Sequence, residues 1–542
     1  VGCQDLLGTS TQWTEERVLR ENTALAMIRR RRRLQARGRR WIVVLVTVVV
    51  SWSLRPQMTH LTFYESASTG RVLRTGTGSL LAMLVTMLIL RCRACLRGVA
   101  TTISARDHVA MKGSSLTTSI FNLSKALIGT GMLSLPYGVR GAGVVPFILT
   151  MMGMGIINAY TFFLIGWCCH AVGASSFGEL WARTFGAHSA WITNLTVSLN
   201  NGLACLAHCV LIGDLLSKSF RDMFPSMTLL HSRGLDIFVV GTVVLVPLSL
   251  LTDLSALRFS SVAGLVATLY TFILLVCHAL SSASQAVERS PVAMNFVPLR
   301  PDFFATLALC NSAFMAHYSS PRFYADLRDN TLERFAALVA SSYAIALVAL
   351  SMFGVCGFAV FGFEVEGNVL KNYDGGMGVM LARLCMALSI VSTFPVVFNT
   401  FREASCSVLF RVVPVSGSTR QSIRTPYTVL AVGMAVLGGI IFDNVATVNC
   451  IKGAVLSSCL AFVYPAIIHL RLTASPGGGM RSGPQMRAGS KFIACLGIVS
   501  GLLAILSMLL RTSHPHPRSS GDNIFVGDIA LRVVNKTLVV AN

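Results

Sequence analysis

From residue 115 onward, apolar stretches long enough to cross a bilayer follow one another with only short polar breaks. That recurrence leaves few folds open. In hydrocarbon every backbone N–H and C=O needs a partner within the protein, and a stretch of about 20 apolar residues meets that need as a helix. Eleven such stretches are read, at 116–137, 144–168, 190–217, 235–251, 258–280, 303–327, 335–361, 378–401, 426–442, 449–470 and 491–511. Composition agrees: 53% of the 542 residues are apolar, 13% are charged, and the mean hydropathy of +0.65 exceeds what a soluble chain of this length carries. The expectation is an all-α, multi-pass integral membrane protein whose surroundings are the lipid bilayer. Residues 115–511 read as its transmembrane domain, 1–114 as a basic amino-terminal extension and 512–542 as a carboxyl-terminal tail.

A net charge of +22 raises nucleic acid as a partner, but the placement of the charge argues against it. Much of it lies in the Arg29 to Arg33 run with Arg37, Arg39 and Arg40, and more sits in short loops between apolar stretches, where positive charge marks the cytosolic side. With the amino terminus cytosolic, the connections on that side include Arg183, Arg328, Arg334, Arg411, Arg420 and Arg471. The opposite loops are poorer in basic residues and hold Glu364, Glu366 and Asp374. An odd number of crossings then puts the tail, with its Asn535-Lys536-Thr537 glycosylation acceptor, away from the cytosol. Two apolar segments, 42–54 and 79–90, are short for spanning and read as interfacial anchors, part of a targeting sequence, extra spans or parts of a poorly structured extension. The 15 cysteines fall mostly singly within apolar stretches and lack metal-ligand spacing, so neither a disulfide framework nor a metal site is expected. No P-loop, zinc-ligand cluster or separate polar catalytic domain is found, which argues against an enzyme and implies no cofactor.

Two of the stretches are built unlike the others. The first contains Lys125-Ala126-Leu127-Ile128-Gly129-Thr130-Gly131-Met132-Leu133-Ser134-Leu135-Pro136-Tyr137. Each glycine costs roughly 1 kcal/mol in a helix interior and proline more, so a break at mid-membrane is expected there. The sixth packs Cys310-Asn311-Ser312-Ala313-Phe314-Met315-Ala316-His317-Tyr318-Ser319-Ser320-Pro321-Arg322-Phe323-Tyr324 around its middle. Interrupted helices at corresponding positions of two five-span halves point to an inverted-repeat transporter with its site at the bilayer midplane. The plainer alternative, two proline-kinked helices without a site, leaves Lys125 and His317 without a reason to be in hydrocarbon.

Together these residues resemble the amino acid/auxin permease family of secondary transporters, which includes vacuolar, proton-coupled and sodium-coupled neutral amino-acid carriers. The likeness runs over about residues 115–511. It rests on the two runs above and, more weakly, on Phe177-Gly178-Glu179-Leu180, Gly213-Asp214, Gly357-Phe358 with Phe361-Gly362, Asn368-Val369-Leu370-Lys371-Asn372-Tyr373 and Phe394-Pro395. The resemblance implies eleven helices in a five-plus-five inverted repeat plus one, of the LeuT-like kind with discontinuous helices 1 and 6, and transport of amino acids.

Roles for individual residues follow from chemistry at those positions. Backbone N–H groups at Gly129, Thr130 and Gly131 suit a substrate carboxylate, and carbonyls freed around Phe314 and Met315 suit its ammonium. Ser312, Phe314 and His317 would set side-chain preference, with a neutral amino acid expected. His317 reads either as a proton-responsive group or as a hydrogen-bonded structural histidine. Asp214 reads as pairing with a cation or a water pathway, or as a loop-proximal carboxylate. Ser392 and Thr393 read as oxygen donors to sodium or to Lys125, or as hydroxyls bonded to their own helix. At Lys125, sodium-coupled relatives tend to carry asparagine and proton-coupled ones lysine. A tethered ammonium there would occupy the place of sodium, whereas a snorkelling lysine would not. The expected function is therefore secondary active transport of amino acids, sodium-independent or coupled to protons, in a vacuolar or lysosomal membrane or the plasma membrane. The alternatives are a sodium-coupled carrier and an amino-acid sensor on the same fold.

Overall fold

The computed structural model describes residues 113–251, 258–281, 301–412, 417–474 and 483–513. The segments 42–54 and 79–90, the Arg29 to Arg33 run and the acceptor at Asn535 lie outside the described residues. The described residues are helical, apart from connections and an isolated backbone bridge between Ser114 and Leu327.

The first apolar stretch folds as three pieces: α1 (Leu116–Leu127, 12 residues), a 3-10 turn (Thr130–Ser134, 5 residues) and α2 (Leu135–Ala142, 8 residues). Ser115 starts α1 by accepting the Thr118 N–H at 3.3 Å. The helix stops at Ile128, whose φ of −82° and ψ of 59° turn the chain out of register, and Gly129 continues extended at φ −94° and ψ −162°. Pro136 then sits in the first turn of α2, where its missing N–H leaves no carbonyl without its donor.

Next come α3 (Val144–Val172), the short α4 (Phe177–Phe185) and α5 (Trp191–Met223). α6 (Arg233–Val240) continues through a π-helical turn, Gly241–Leu245, into α7 (Val246–Leu250), and α8 (Arg258–Ser281) follows. The sixth stretch is again in pieces: α9 (Pro301–Ala313, 13 residues), a 3-10 turn (His317–Ser319, 3 residues) and α10 (Ser320–Ala325, 6 residues), with Pro321 in the first turn of α10. Beyond it lie α11 (Leu332–Phe361), α12 (Met377–Val412), α13 (Gly417–Ile441) and α14 (Val445–Ile451). α14 runs through π-helical Lys452–Ser457 and Cys459–Val463 into α15 (Tyr464–Ala474), and α16 (Pro484–Ser513) is last.

Among the described residues, nine helices are long and apolar enough to cross a membrane. Eleven spans were expected, and the difference is the first and sixth stretches, none of whose pieces reaches the roughly 18 residues a continuous crossing needs. The long helices carry apolar residues outside as well as inside. On α3, Phe147, Met151 and Met154 are buried while Leu149, Met152 and Ile156 are exposed, which suits a helix between a protein core and lipid.

α1 and α2 pack on α11, α2 also on α9, and α9 on α16 and the Lys452–Ser457 turn; α5 packs on α12 and α13. Small residues permit these crossings. Gly357 of α11 leaves room for the Pro136 ring, and a Cβ at Gly453 would collide with the Ala308 carbonyl of α9. The Ser114 N–H donates to Asp326 O at 2.7 Å and the Arg328 N–H to Ser114 O at 3.0 Å, so the start of the first stretch lies beside the end of the sixth. At the other end, a Cβ on Gly141 would lie 3.3 Å from the Asp302 carbonyl, so the end of the first stretch lies beside the start of the sixth and the two run in opposite directions.

Candidate functional site

The two interruptions face each other. Gly131, in the 3-10 turn of the first stretch, has the Ala313 Cα at the end of α9 as the nearest atom to where its Cβ would be, at 3.9 Å. Gly129, Thr130 and Gly131 are each half-buried. Because Thr130 and Gly131 open a helical segment, no preceding turn offers carbonyls to their N–H groups. Met132 N–H closes back on Gly129 O at 3.2 Å, and Asn449 of α14 donates to the Ser134 hydroxyl at 3.4 Å. The junction of the two breaks therefore lies between the first stretch, α9 and α14.

A buried chain of polar groups lies beside the break in the sixth stretch. His317 is fully buried, with Nε2 3.1 Å from the Asn158 carbonyl and 3.0 Å from the Thr161 hydroxyl of α3. Since a carbonyl only accepts, the first contact assigns a proton to Nε2 and leaves Nδ1 as the acceptor, and Nδ1 has no partner among the described residues. The Asn158 amide donates to Met154 O at 2.8 Å and to the Asn311 side chain at 3.4 Å. Asn311 in turn donates to Gly453 O at 3.2 Å and to the Ser458 hydroxyl at 3.3 Å. Three segments far apart in sequence are thus tied at one level. Sequence reasoning singled out His317 but missed Asn158, Asn311, Asn449 and Ser458; the usable signal was asparagine inside apolar stretches, where an amide needs a reason.

The other candidates are spread more widely. Ser312 is buried, and its Cβ is 3.2 Å from where a Cβ on Gly453 would be, at the same crossing. Phe314 is fully buried with its ring stacked on Tyr343 of α11 at 6.0 Å, and its carbonyl, expected to be free, accepts the Tyr343 hydroxyl at 3.3 Å. Met315 is half-buried against the cluster built from α3, α4 and α15. Lys125 is half-buried on α1, which packs on α11, whereas Ser392 and Thr393 are on α12, which packs on α5 and α8. The Ser392 hydroxyl donates to Leu388 O at 2.7 Å and that of Thr393 to Ser389 O at 2.9 Å, so both spend their proton on their own helix and keep only lone pairs for a cation.

Asp214 forms an ion pair with Arg233. It is buried near the end of α5 and accepts from Arg233 Nε at 2.9 Å, while the same guanidinium reaches Asp443 at 3.3 Å and the Phe442 carbonyl at 2.9 Å. Close by, Lys371 is bonded to Glu366 at 2.6 Å. Burial pushes the Lys371 ammonium down, but Asp214 and Glu366 outweigh it and hold the group above lysine's ordinary value. Arg383 of α12, 1% exposed, reaches Asp222 at 2.5 Å and the carbonyls of Leu370 and Tyr373. These charges seal one end of the helix bundle around the 364–373 loop.

Family and sequence comparisons point to amino acid transport. The family model described as transmembrane amino acid transporter protein matches residues 112–510. The chain is 24% identical over 426 residues to the putative sodium-coupled neutral amino acid transporter 11 of Danio rerio, covering 77% of this chain and 91% of that one. It is 22% identical to amino acid transporter AVT6E of Arabidopsis thaliana and 22% to vacuolar amino acid transporter 2 of Saccharomyces cerevisiae, covering 67% of this chain and 77% of the relative in each case. Among solved structures, MhsT in complex with L-phenylalanine aligns with a TM-score of 0.48 at 13% identity, covering 74% of this chain and 100% of that chain.

Proposed function

Because this chain belongs to the transmembrane amino acid transporter family, and so is an integral membrane protein that carries amino acids, we propose that it works by alternating access around the opening between its two interrupted helices. The observation that carries this reading is the closeness of Gly131 to Ala313, whose Cα lies 3.9 Å from where a Cβ on Gly131 would be, which sets one helix break against the other. In this reading the first and sixth stretches join the nine continuous helices to make eleven crossings among the described residues. The opposed directions of those two stretches support a five-plus-five inverted repeat with the eleventh helix outside it.

In this reading the N–H groups of Gly129, Thr130 and Gly131 hold the substrate carboxylate, at the positive end of a short helical segment. The ammonium lies toward the carbonyls at the end of α9. The Phe314 carbonyl keeps a second lone pair while it accepts from Tyr343, so the hydroxyl orients it without blocking it. His317, held through Nε2, presents Nδ1 as its free nitrogen. The names of the relatives divide between sodium-coupled and vacuolar carriers. Lys125 favours the sodium-independent side, since a fixed ammonium in the first stretch supplies the charge a sodium ion would bring.

Uptake into proteoliposomes across a panel of radiolabelled standard amino acids, with sodium exchanged for choline at constant pH and with an imposed pH gradient, tests both parts. Flux that persists in choline and responds to the pH gradient is expected. Flux that collapses in choline would move the chain to the sodium-coupled group, and binding without flux would make it a sensor.

A further inference from the structure

The segment that follows α13 reaches both breaks. α14 packs on the 3-10 turn of the first stretch and on α9, and the π-helical Lys452–Ser457 turn that continues it packs on α9 as well. Asn449, on α14, donates to the Ser134 hydroxyl at 3.4 Å, and Ser134 closes the turn that begins at Thr130. Four residues on, and so on the same helix face, the Gly453 carbonyl accepts from the Asn311 amide at 3.2 Å, two residues before α9 ends at Ala313. Ser458 accepts from the same amide at 3.3 Å and donates to the Gly453 carbonyl at 3.1 Å. In a regular α-helix a residue five positions on points about 140° away. The π-helical turn holds more residues per turn, which returns Ser458 to the face of Gly453.

Backbone groups fix which way the amides point. The Gly453 and Met154 carbonyls only accept, so Asn311 turns its Nδ2 to the first at 3.2 Å and Asn158 turns its Nδ2 to the second at 2.8 Å. Asn311 Oδ1 is then left for the second Asn158 proton, at 3.4 Å, and both N–H bonds of each amide are used. Asn311, Asn449, Ser134 and Ser458 are all buried, so a group that loses its partner there stays unsatisfied. The crossing is also tight, since Gly453 lies against the Ala308 carbonyl with no room for a Cβ. We propose that Asn449 and Asn311 are positioning residues for the two ends of the solute. Asn449 holds the turn whose Gly129, Thr130 and Gly131 N–H groups take the carboxylate, Asn311 holds the end of α9 whose carbonyls take the ammonium, and residues 449–458 set the spacing between them. The proposal rests on the reading of the opening given above, and adds that each amide serves one end of the solute and not the other.

The experiment uses purified full-length protein and the Asn449→Leu, Ser134→Ala, Asn311→Leu and Ser458→Ala variants, each first checked for monodisperse elution in detergent. The probes are the standard L-amino acid that raises the wild-type melting temperature most, its methyl ester, which lacks the negative charge, and its N-acetyl derivative, which lacks the positive one. Affinities are read from the thermal shift, and uptake is measured in parallel. The wild-type protein is expected to prefer the free amino acid to both derivatives. Asn449→Leu and Ser134→Ala should shrink the preference over the ester by about tenfold and leave that over the N-acetyl derivative unchanged. Asn311→Leu should do the reverse, and Ser458→Ala should do so more weakly, because the bond from Asn311 to Gly453 remains. Hydrogen exchange without any amino acid should quicken over residues 130–134 in Asn449→Leu and over residues 310–315 in Asn311→Leu. Folded variants that weaken all three probes alike, or whose exchange is unchanged in those segments, overturn the proposal. A wild-type protein that binds no amino acid overturns the reading of the opening itself and these roles with it. Discrimination as expected without flux keeps the positioning residues and removes alternating access.

Discussion

At the scale of single residues, the site is defined by what is missing at Gly131 and by what is unpaired at His317. The nearest atom to a Cβ at position 131 is 3.9 Å away, an ordinary contact distance, so alanine fits while leucine drives into the end of α9. Gly131→Leu is expected to reduce uptake to background with membrane insertion intact, and Gly131→Ala to retain much of it; uptake normalised to surface-labelled protein checks both. His317→Ala removes the hydrogen bonds at Nε2 and leaves the buried Thr161 and Asn158 groups with fewer partners. A loss of about 1–3 kcal/mol in stability is expected, read as a lowered melting temperature in detergent. Lys125→Ala is expected to abolish uptake, because it removes the fixed ammonium that the sodium-independent reading needs in the first stretch; full activity in that variant would make Lys125 a snorkelling side chain.

At the scale of elements, the breaks and the short helices are positioned by local chemistry that can be tested separately. α4 is started by Ser176, which accepts the Glu179 N–H, and Glu179 returns the bond to Ser175. The Ser175 N–H and hydroxyl, with Arg183, hold the Glu179 carboxyl at about 2, below its ordinary 4.5. A carboxylate whose value is lowered by folding contributes stability that is complete above about pH 4.5 and is lost as pH falls through about 2. Glu179 is therefore expected to stay ionised across pH 5–8, and Glu179→Gln should leave the shape of the pH profile of uptake unchanged over that range while loosening α4 in hydrogen exchange. At the crossing of α9 and the Lys452–Ser457 turn, Gly453→Ala places a methyl group against the Ala308 carbonyl. Overpacking of this kind costs about 1–3 kcal/mol, so a lowered melting temperature is expected even though the change is a single carbon.

At the scale of the whole molecule, charged groups gather at one end and knit loops to helices. Arg383 alone joins α12 to Asp222 and to the backbone of the 364–373 loop. Arg383→Met is expected to destabilise the protein by roughly 3 kcal/mol, since it removes one partner of a largely buried pair together with its backbone bonds; chemical denaturation in detergent measures it. Much of this organisation was legible in the chain. The recurrence of apolar stretches determined a helical membrane protein, because backbone groups in lipid have few other ways to be satisfied. Gly129 and Gly131 marked where the first stretch stops, because helix breaking depends on neighbours only a few residues away, whereas the sixth stops at Ala313 with no glycine there and Pro321 only in the next helix. Other features were decided by packing. Asn158, Asn311 and Gly453 meet across sequence separations of more than a hundred residues, and Asp214 found Arg233 as its partner only once α5 and α6 lay side by side. The Phe314 carbonyl met a hydroxyl from α11 in the same way. A single sequence specifies which residues need partners, and the tertiary structure decides which partners they get, because that depends on how helices distant in the chain are brought to the same depth.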